Sequence, residues 1–395
     1  GSTCALFAAA LQAAGVPRVG LYTSPHLLDV RERIRVSGVP ISRGAFARCY
    51  ARVAGVLGPR GLLARLGYFP LLTVMALEHF VRRRCGAVVL EVGVGGRTDA
   101  TNAIDRPAVC AVASLGLDHT AALGTTVADI AWEKAGIFRP RVPALSAPGQ
   151  PPSALRVLQE RAAQASTHLV VADSDACTAA AAAHMPGAFQ RTNAALAAAI
   201  VRAWQQQKQQ GGAVLSEEDV ERGIAAALRD CVWPGRAQTL VYGSLTLRID
   251  GAHTPESIAA CVEWFASSTA GATEAKSKEE EEEESTKALV FACKSDRAPA
   301  VLLGCLAQAC AVHGVVFGTV LCVQPQPQRA FHSASTLQAA ARACLPACRD
   351  IRCAPSAEDA LRMLQQPPGT RREVLVTGSL YLVSDVLRAA HFALA

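Results

Sequence analysis

The sequence predicts an α/β fold of two domains, with mostly parallel sheets covered by helices. Three observations carry this. Short runs that are apolar on both faces recur along the chain. Alanine-rich helical stretches separate them. Polar clusters begin just after several of the runs. Strands buried on both faces belong in parallel sheets rather than in one-sided antiparallel ones. In order, a helical pattern over Thr3–Ala14 leads into the run Val19–Thr23. The runs Ala87–Val92, Val109–Ser114 and Leu169–Ala172 follow, then Leu245–Ile249, Ala288–Ala292, Val320–Val323 and Val374–Thr377. In such sheets ligands sit beyond the carboxyl ends of the strands. The clusters Ser24-Pro25-His26, Glu91-Val92-Gly93, Asp118-His119 and Asp250-Gly251-Ala252-His253 all fall there.

Proline followed by glycine in Trp233-Pro234-Gly235-Arg236 breaks a helix and precedes a strand-rich region. It marks a boundary between domains 1–236 and 237–395. Residues 266–287 hold six consecutive glutamates among serine, threonine and lysine. Like charges repel and nothing apolar is available to bury, so this segment is expected to be a disordered acidic insertion.

Composition narrows the function classes. With 51% hydrophobic and 18% charged residues in 395, the chain can bury a substantial core. A formal charge of +6 is mild, and no stretch interleaves aromatics with a basic patch, which argues against a nucleic-acid binder. No apolar run reaches the roughly 18 residues of a membrane span. The 14 cysteines are scattered without a CxxC pair and read as buried thiols of a reducing compartment. The chain opens on Gly1-Ser2-Thr3-Cys4, which reads as the interior of a longer product and leaves targeting illegible.

Taken residue by residue, each cluster has two readings. Gly1-Ser2-Thr3 is the tail of a phosphate-binding loop or an ordinary helix N-cap. Glu91 followed by Gly93, Gly95 and Gly96 is a metal-holding acid beside a close backbone approach, or a glycine turn with a solvated acid. Asp118-His119 repeats the theme at another strand end. Two such clusters favour a metal–phosphate site over two structural turns. Lys134, the one lysine amid mostly apolar residues in Ile130–Ile137, reads as a snorkelling surface lysine on sequence physics alone. Asp250 and His253 suit a ribose or phosphate, with Arg236 supplying a cation at the hinge, or are parts of turns.

In combination the motifs resemble the folylpolyglutamate synthase family, a branch of the Mur ligases, in its eukaryotic form. The motifs are TSPHLLDVRERIRVSG (Thr23–Gly38), LEVGVGGRTDATN (Leu90–Asn102), SLGLDHTAALG (Ser114–Gly124), IAWEKAGIF (Ile130–Phe138) and FQRTNAALA (Phe189–Ala197). WPGR (Trp233–Arg236), DGAHT (Asp250–Thr254) and VLVTGSLYLV (Val374–Val383) complete the order.

This resemblance implies a P-loop-type, mostly parallel sheet domain and a smaller Rossmann-like C-terminal domain. It implies an ATP-dependent ligase that adds L-glutamate to the γ-carboxyl of a folate through an acyl phosphate, and closure of the two domains to exclude water. It also implies roles. Gly1 and Ser2 belong to the phosphate loop. Ser24, Glu91 and His119 hold Mg²⁺. Lys134 is carbamylated and holds a second Mg²⁺, acting with His119 in catalysis, and a monovalent cation has a place in the family's chemistry. Asn193, Arg236, Asp250 and His253 contact the nucleotide, and Ser24, Pro25, His26 and Arg33 the folate. Arg31, Arg33 and Arg35 alternate as on an extended loop, facing glutamate-tail carboxylates or forming a solvated basic face.

The partners implied are reduced folates and L-glutamate, with no nucleic acid or membrane, and a monomer is the family default. Cytoplasm, mitochondrion and plastid are the compartments left open. The family loop reads Gly-Thr-x-Gly-Lys-Gly-Ser, and the chain opens at its last glycine. A chain without the upstream lysine is expected to bind ATP poorly. Dihydrofolate synthase and a non-catalytic folate-binding homologue are the alternatives.

Overall fold

A computed structural model describes residues 1–174, 185–209, 215–269, 287–326 and 330–392. The chain forms two compact units. The first comprises Gly1–His184 and Phe189–Val232. The second comprises Met185–Ala188 and Trp233–Ala395, so the WPGR segment belongs to it.

In the first unit, strands β1 (Val19–Tyr22), β2 (Ile34–Val36), β3 (Val39–Pro40) and β4 (Ala87–Leu90) form a four-stranded sheet in the order β3-β2-β1-β4. Strands β1 and β4 are parallel, with Tyr22 opposite Leu90. Strand β2 runs antiparallel to β1, and β3 antiparallel to β2. Strands β5 (Cys110–Val112), β6 (Ala144–Ser146) and β7 (Leu169–Val171) form a wholly parallel sheet.

Helices α1 (Ser2–Ala13), α2 (Arg43–Leu57) and α3 (Tyr68–Arg82) accompany the first sheet, and α4 (Thr120–Leu123), α5 (Val127–Ala135) and α6 (Pro152–Gln164) belong with the second. Helices α7 (Ala188–Gln209) and α8 (Glu217–Asp230) close the unit. Small residues allow the close approaches. A Cβ on Gly20 of β1 would lie 2.8 Å from the Phe80 ring, and one on Gly223 of α8 would lie 2.5 Å from the Ala10 carbonyl of α1. One core gathers Tyr22, Ile34, Met75 and Phe80 between α2, α3 and the first sheet, and another packs Val112, Ala131, Ala144 and Leu158 between α5, α6 and the second.

The second unit holds one six-stranded sheet. Its strands are β8 (Gln238–Tyr242), β9 (Leu245–Ile249), β10 (Lys287–Phe291), β11 (Thr319–Val323), β12 (Asp350–Ala354) and β13 (Arg372–Thr377), in the order β12-β11-β10-β13-β9-β8. All pairs are parallel except the edge pair β8–β9. The strands alternate with α9 (Pro255–Thr269), α10 (Pro299–His313), α11 (Ala334–Cys344), α12 (Ala357–Leu364) and α13 (Leu380–Ala389).

Two expectations need adjustment. Residues 266–269 of the expected acidic insertion are the last turn of α9 and Lys287 opens β10, because Thr269 is buried and Lys287 pairs with Glu373; residues 270–286 lie outside the described residues. Arg31, Arg33 and Arg35 do not alternate along one extended segment. Arg31 and Arg33 sit in a 3₁₀ turn, Val30–Arg33, and only Arg35 is in a strand.

Candidate active site

The register of β1 with β4 brings the chain just past both strands to one place. Glu91 N–H donates to the Tyr22 carbonyl at 2.9 Å. The Glu91 carboxylate turns back across the gap: its Oε2 accepts from Ser24 N–H at 2.8 Å, and its Oε1 contacts the Gly1 nitrogen at the start of α1. Gly1, Ser24 and Glu91 are therefore gathered at the carboxyl ends of two parallel strands. Ser2 is buried in the first turn of α1. Thr3 Oγ1 donates to Asn193 Oδ1 at 2.9 Å, and Asn193 Nδ2 to Gln190 Oε1 at 3.0 Å, so Asn193 on α7 lies beside that first turn.

The glycine loop after Glu91 is organised by Asp99, which the sequence reading did not single out. Asp99 Oδ2 accepts from Gly93 N–H and Val94 N–H, each at 3.1 Å, and Oδ1 from the Thr101 N–H at 2.9 Å and hydroxyl at 2.6 Å. The loop then lies flat on the end of α5. A Cβ on Gly96 would be 2.8 Å from the Lys134 carbonyl, Arg97 N–H donates to the Glu133 carbonyl at 2.9 Å, and Arg97 pairs with the Glu133 carboxylate at 3.0 Å. The Arg97 guanidinium also stacks over Trp132 at 4.9 Å. Asn102 Nδ2 donates to the carbonyls of Arg97 and Gly136 at 3.0 and 3.1 Å, and Arg139 holds Asn102 Oδ1 at 2.7 Å.

Lys134 is thereby carried next to the loop. It is not the exposed lysine that its sequence neighbourhood predicts. Burial pulls its pKa down, and the negative charges of Asp118, Asp99 and Glu91 oppose that shift. The charges of these three carboxylates thus reach one partly buried ammonium. Their convergence was the feature hardest to foresee, since they come from three separate segments.

His119 follows β5 and caps α4 in a left-handed conformation, φ 52°. Its N–H donates to Asp118 Oδ1 at 2.8 Å, its Nε2 lies 3.8 Å from Asp118 Oδ2, and the imidazole is 43% exposed. Among the described residues, no three His, Cys, Asp or Glu side chains form a ready metal cluster.

The segment from Ser24 is shaped by Glu32, whose buried carboxylate accepts from Leu27, Leu28 and Asp29 N–H at 3.0, 2.8 and 2.5 Å. Pro25 follows a cis peptide bond. Arg33 is buried, donates from Nε to His26 Nδ1 at 3.0 Å and stacks over Tyr68 at 5.5 Å. Arg31 forms a two-pronged pair with Asp29, both contacts at 2.9 Å. Arg35 donates to the carbonyls of Glu32 and Gly38. The three arginines thus brace their own loop, which corrects the picture of a solvated basic face: a guanidinium's rigid fork of donors is used here on nearby acceptors.

In the second unit the WPGR turn and the end of β9 are bound together. Gly251 N–H donates to the Gly235 carbonyl at 3.0 Å, and Ala237 N–H to Asp250 Oδ2 at 2.8 Å. Asp250 is buried, which raises its pKa, while the nearby Arg236 charge lowers it. His253 Nδ1 lies 2.6 Å from the Gly251 carbonyl, and the Ser257 hydroxyl accepts from His253 and Thr254 N–H at the start of α9. Arg297, not anticipated from the sequence, donates to the His253 carbonyl. Arg236, Asp250 and His253 are thus brought together within this unit.

Acid and glycine loops at the carboxyl ends of parallel strands define a nucleotide-binding type of α/β protein. The family described as dihydrofolate synthetase, C-terminal domain, matches residues 234–389. A folylpolyglutamate synthase of Arabidopsis thaliana is 34% identical over 98% of this chain and 78% of its own length. A mitochondrial folylpolyglutamate synthase of Bos taurus is 40% identical over 67% of the chain and 49% of its own length, so the chain spans about half of that relative. Among solved structures, the bifunctional folylpolyglutamate synthase/dihydrofolate synthase of Yersinia pestis, complexed with AMPPNP and Mn ion, matches with a TM-score of 0.76, 28% identity, and coverage of 99% of this chain and 86% of the other. The chain belongs to the folylpolyglutamate synthase family.

Proposed function

We propose that the protein is an ATP-dependent ligase that adds L-glutamate to the γ-carboxyl of reduced folates. The observation that carries this is the meeting of Glu91 and Ser24 at the carboxyl ends of the parallel strands β1 and β4. In this reading the first unit is the ATP-binding, Mur-ligase-like domain and the second the Rossmann-like one. Free helix N–H groups at the start of α1 favour phosphate oxygens. Gly1 and Ser2 lie in that turn, and Asn193, Arg236, Asp250 and His253 are assigned to the nucleotide. Ser24, Pro25, His26 and Arg33 are assigned to the folate, Pro25 and His26 following Ser24 directly and Arg33 holding His26 in place.

The donor set suits Mg²⁺. That ion keeps several waters and takes one or two carboxylates plus phosphate oxygens, so it needs no complete protein cage. Glu91, Ser24 and His119 would hold it, and when bound it neutralises charge on the transferred phosphoryl group. A lowered lysine pKa leaves more neutral amine, the form that adds carbon dioxide, so Lys134 suits a carbamate able to take a second Mg²⁺. A monovalent cation fits beside the same charges.

In the reaction the folate γ-carboxylate oxygen attacks the terminal phosphorus and ADP leaves. The glutamate amine then attacks the acyl carbon, inorganic phosphate departs, and the amine proton passes to a base. The protein acts chiefly by orienting these groups and stabilising their charge. A monomer is assigned, and cytoplasm, mitochondrion and plastid all suit the reading. The bovine relative is mitochondrial by name. Among the described residues no helix is long and apolar enough to cross a membrane.

The test is to incubate the full-length protein with ATP, Mg²⁺, glutamate and either tetrahydrofolate or dihydropteroate, and to weigh the products by mass spectrometry. Serial glutamate additions to tetrahydrofolate are expected. A single addition to dihydropteroate alone would replace this reading with dihydrofolate synthase, and no product from the folded protein would favour a non-catalytic homologue.

A further inference from the structure

His119 has little of its own to hold it. The imidazole is 43% exposed, and its ion contact is with its neighbour Asp118 at 3.8 Å. Its place is inherited from the root of its loop, where the chain leaves β5. A side chain from another segment grips that root. Gln150 lies beyond the end of β6 and is 9% exposed. Its Oε1 accepts from Leu115 N–H at 3.0 Å, and its Nε2 donates to the Ala113 carbonyl at 2.9 Å. The same Nε2 donates to Ser146 Oγ at 3.1 Å, and Ser146 is fully buried and donates to the Ala147 carbonyl at 3.1 Å.

The two backbone groups flank Ser114: the carbonyl of the residue before and the N–H of the residue after. The backbone ladder between β5 and β6 ends at Val112 opposite Ser146, with Ala147 N–H on the Val112 carbonyl at 2.9 Å. The next group of that ladder is Ser114 N–H; the Gln150 amide instead takes the Ala113 carbonyl and Leu115 N–H on either side of it, and so clamps the chain as it leaves β5.

We propose that Gln150 is a positioning residue, clamping the chain just beyond β5 with its side-chain amide so that the Ser114–His119 loop presents His119 to a divalent cation. This rests on the metal role proposed for His119. A glutamine that only filled the core would have no reason to satisfy one N–H and one carbonyl two residues apart at the strand end that leads into the site. Removing it takes both hydrogen bonds from the chain leaving β5 and frees the loop root.

The experiment is an Mn²⁺ titration of the full-length protein with ADP, read by electron paramagnetic resonance, on wild type, Gln150→Leu, His119→Ala and the double variant. Gln150→Leu is expected to weaken Mn²⁺ binding about tenfold, and the double variant to bind no more weakly than His119→Ala alone, because the two residues act through one contact. Unchanged Mn²⁺ affinity in Gln150→Leu, or full additivity in the double variant, would overturn the proposal. Gln150→Glu keeps the acceptor for Leu115 and loses the donor to Ala113. It is expected to give an intermediate loss, and it carries the same test if the leucine variant does not fold. Wild type that binds ADP but no Mn²⁺ would instead remove the metal reading of His119, and this proposal with it.

Discussion

Gly136 and Arg97 are in contact so close that a Cβ on the glycine would fall 2.3 Å from the arginine Cβ and 2.6 Å from its Cα. The glycine has φ −62°, an ordinary helical value. Its requirement is therefore space and not backbone freedom. Gly136→Ala is expected to push the glycine loop off the end of α5 and to cost about 1–3 kcal/mol of stability, as overpacking does. Urea denaturation checks this. A loss below a few tenths of a kcal/mol would show that the loop shifts freely.

Asp99 accepts four hydrogen bonds from the loop that carries Glu91. Asp99→Ala leaves the Gly93, Val94 and Thr101 groups without their acceptor. It is expected to lower kcat more than it raises the KM for ATP, because the loop still forms but is poorly placed. Asp99→Asn retains one oxygen and is expected to recover part of the rate. Steady-state kinetics of both variants separate placement from a loss of folding, which would lower the active fraction without a split.

Asp250 is buried and accepts from Ala237 N–H at 2.8 Å. Asp250→Ala is expected to destabilise the protein by about 1–3 kcal/mol through an unsatisfied buried donor. Asp250→Asn keeps an acceptor and is expected to lose less stability while still weakening nucleotide binding, since the negative charge beside Arg236 is gone. Thermal melting with and without ADP distinguishes the two effects. Equal losses in both variants would mean the charge, not the hydrogen bond, holds the turn.

Glu78 on α3 is bridged by Arg52 and Arg82, and its pKa is lowered from 4.5 to about 2, chiefly by the hydrogen bonds from Arg52. The folded carboxylate is favoured over the unfolded one, so its contribution is complete above pH 4.5 and is lost as pH falls toward 2. After allowance for solvent screening the amount is about 1–2 kcal/mol. Glu78→Gln is expected to flatten the acid limb of stability across that window, as read by denaturation at several pH values. An unchanged limb would place the acid sensitivity elsewhere.

The alternation of strands and helices and the polar clusters at strand ends were legible because both are local signals. An apolar run of four to six residues and a glycine pair declare themselves without reference to the rest of the chain. Thus Glu91, Ser24 and the first turn of α1 were identifiable as candidates, and the register of β1 with β4 brings them together. The antiparallel β2–β3 addition was not legible, since those strands have only three and two residues. Nor were β6, of three residues, and β8, whose burial alternates at a sheet edge.

What tertiary structure alone decided is which side chains meet across long separations. Lys134 reads as a surface lysine until its helix is packed against the glycine loop, where desolvation and three distant carboxylates act on it. Arg31, Arg33 and Arg35 read as facing either glutamate-tail carboxylates or solvent until Asp29, His26 and nearby carbonyls take up donors from them. Arg297 and Gln150 carry no local pattern at all. Their roles are hydrogen bonds to backbone groups that become neighbours only once the sheets have formed. Burial and hydrogen-bond partnership belong to the packed arrangement, and a one-dimensional pattern records only the preference for them.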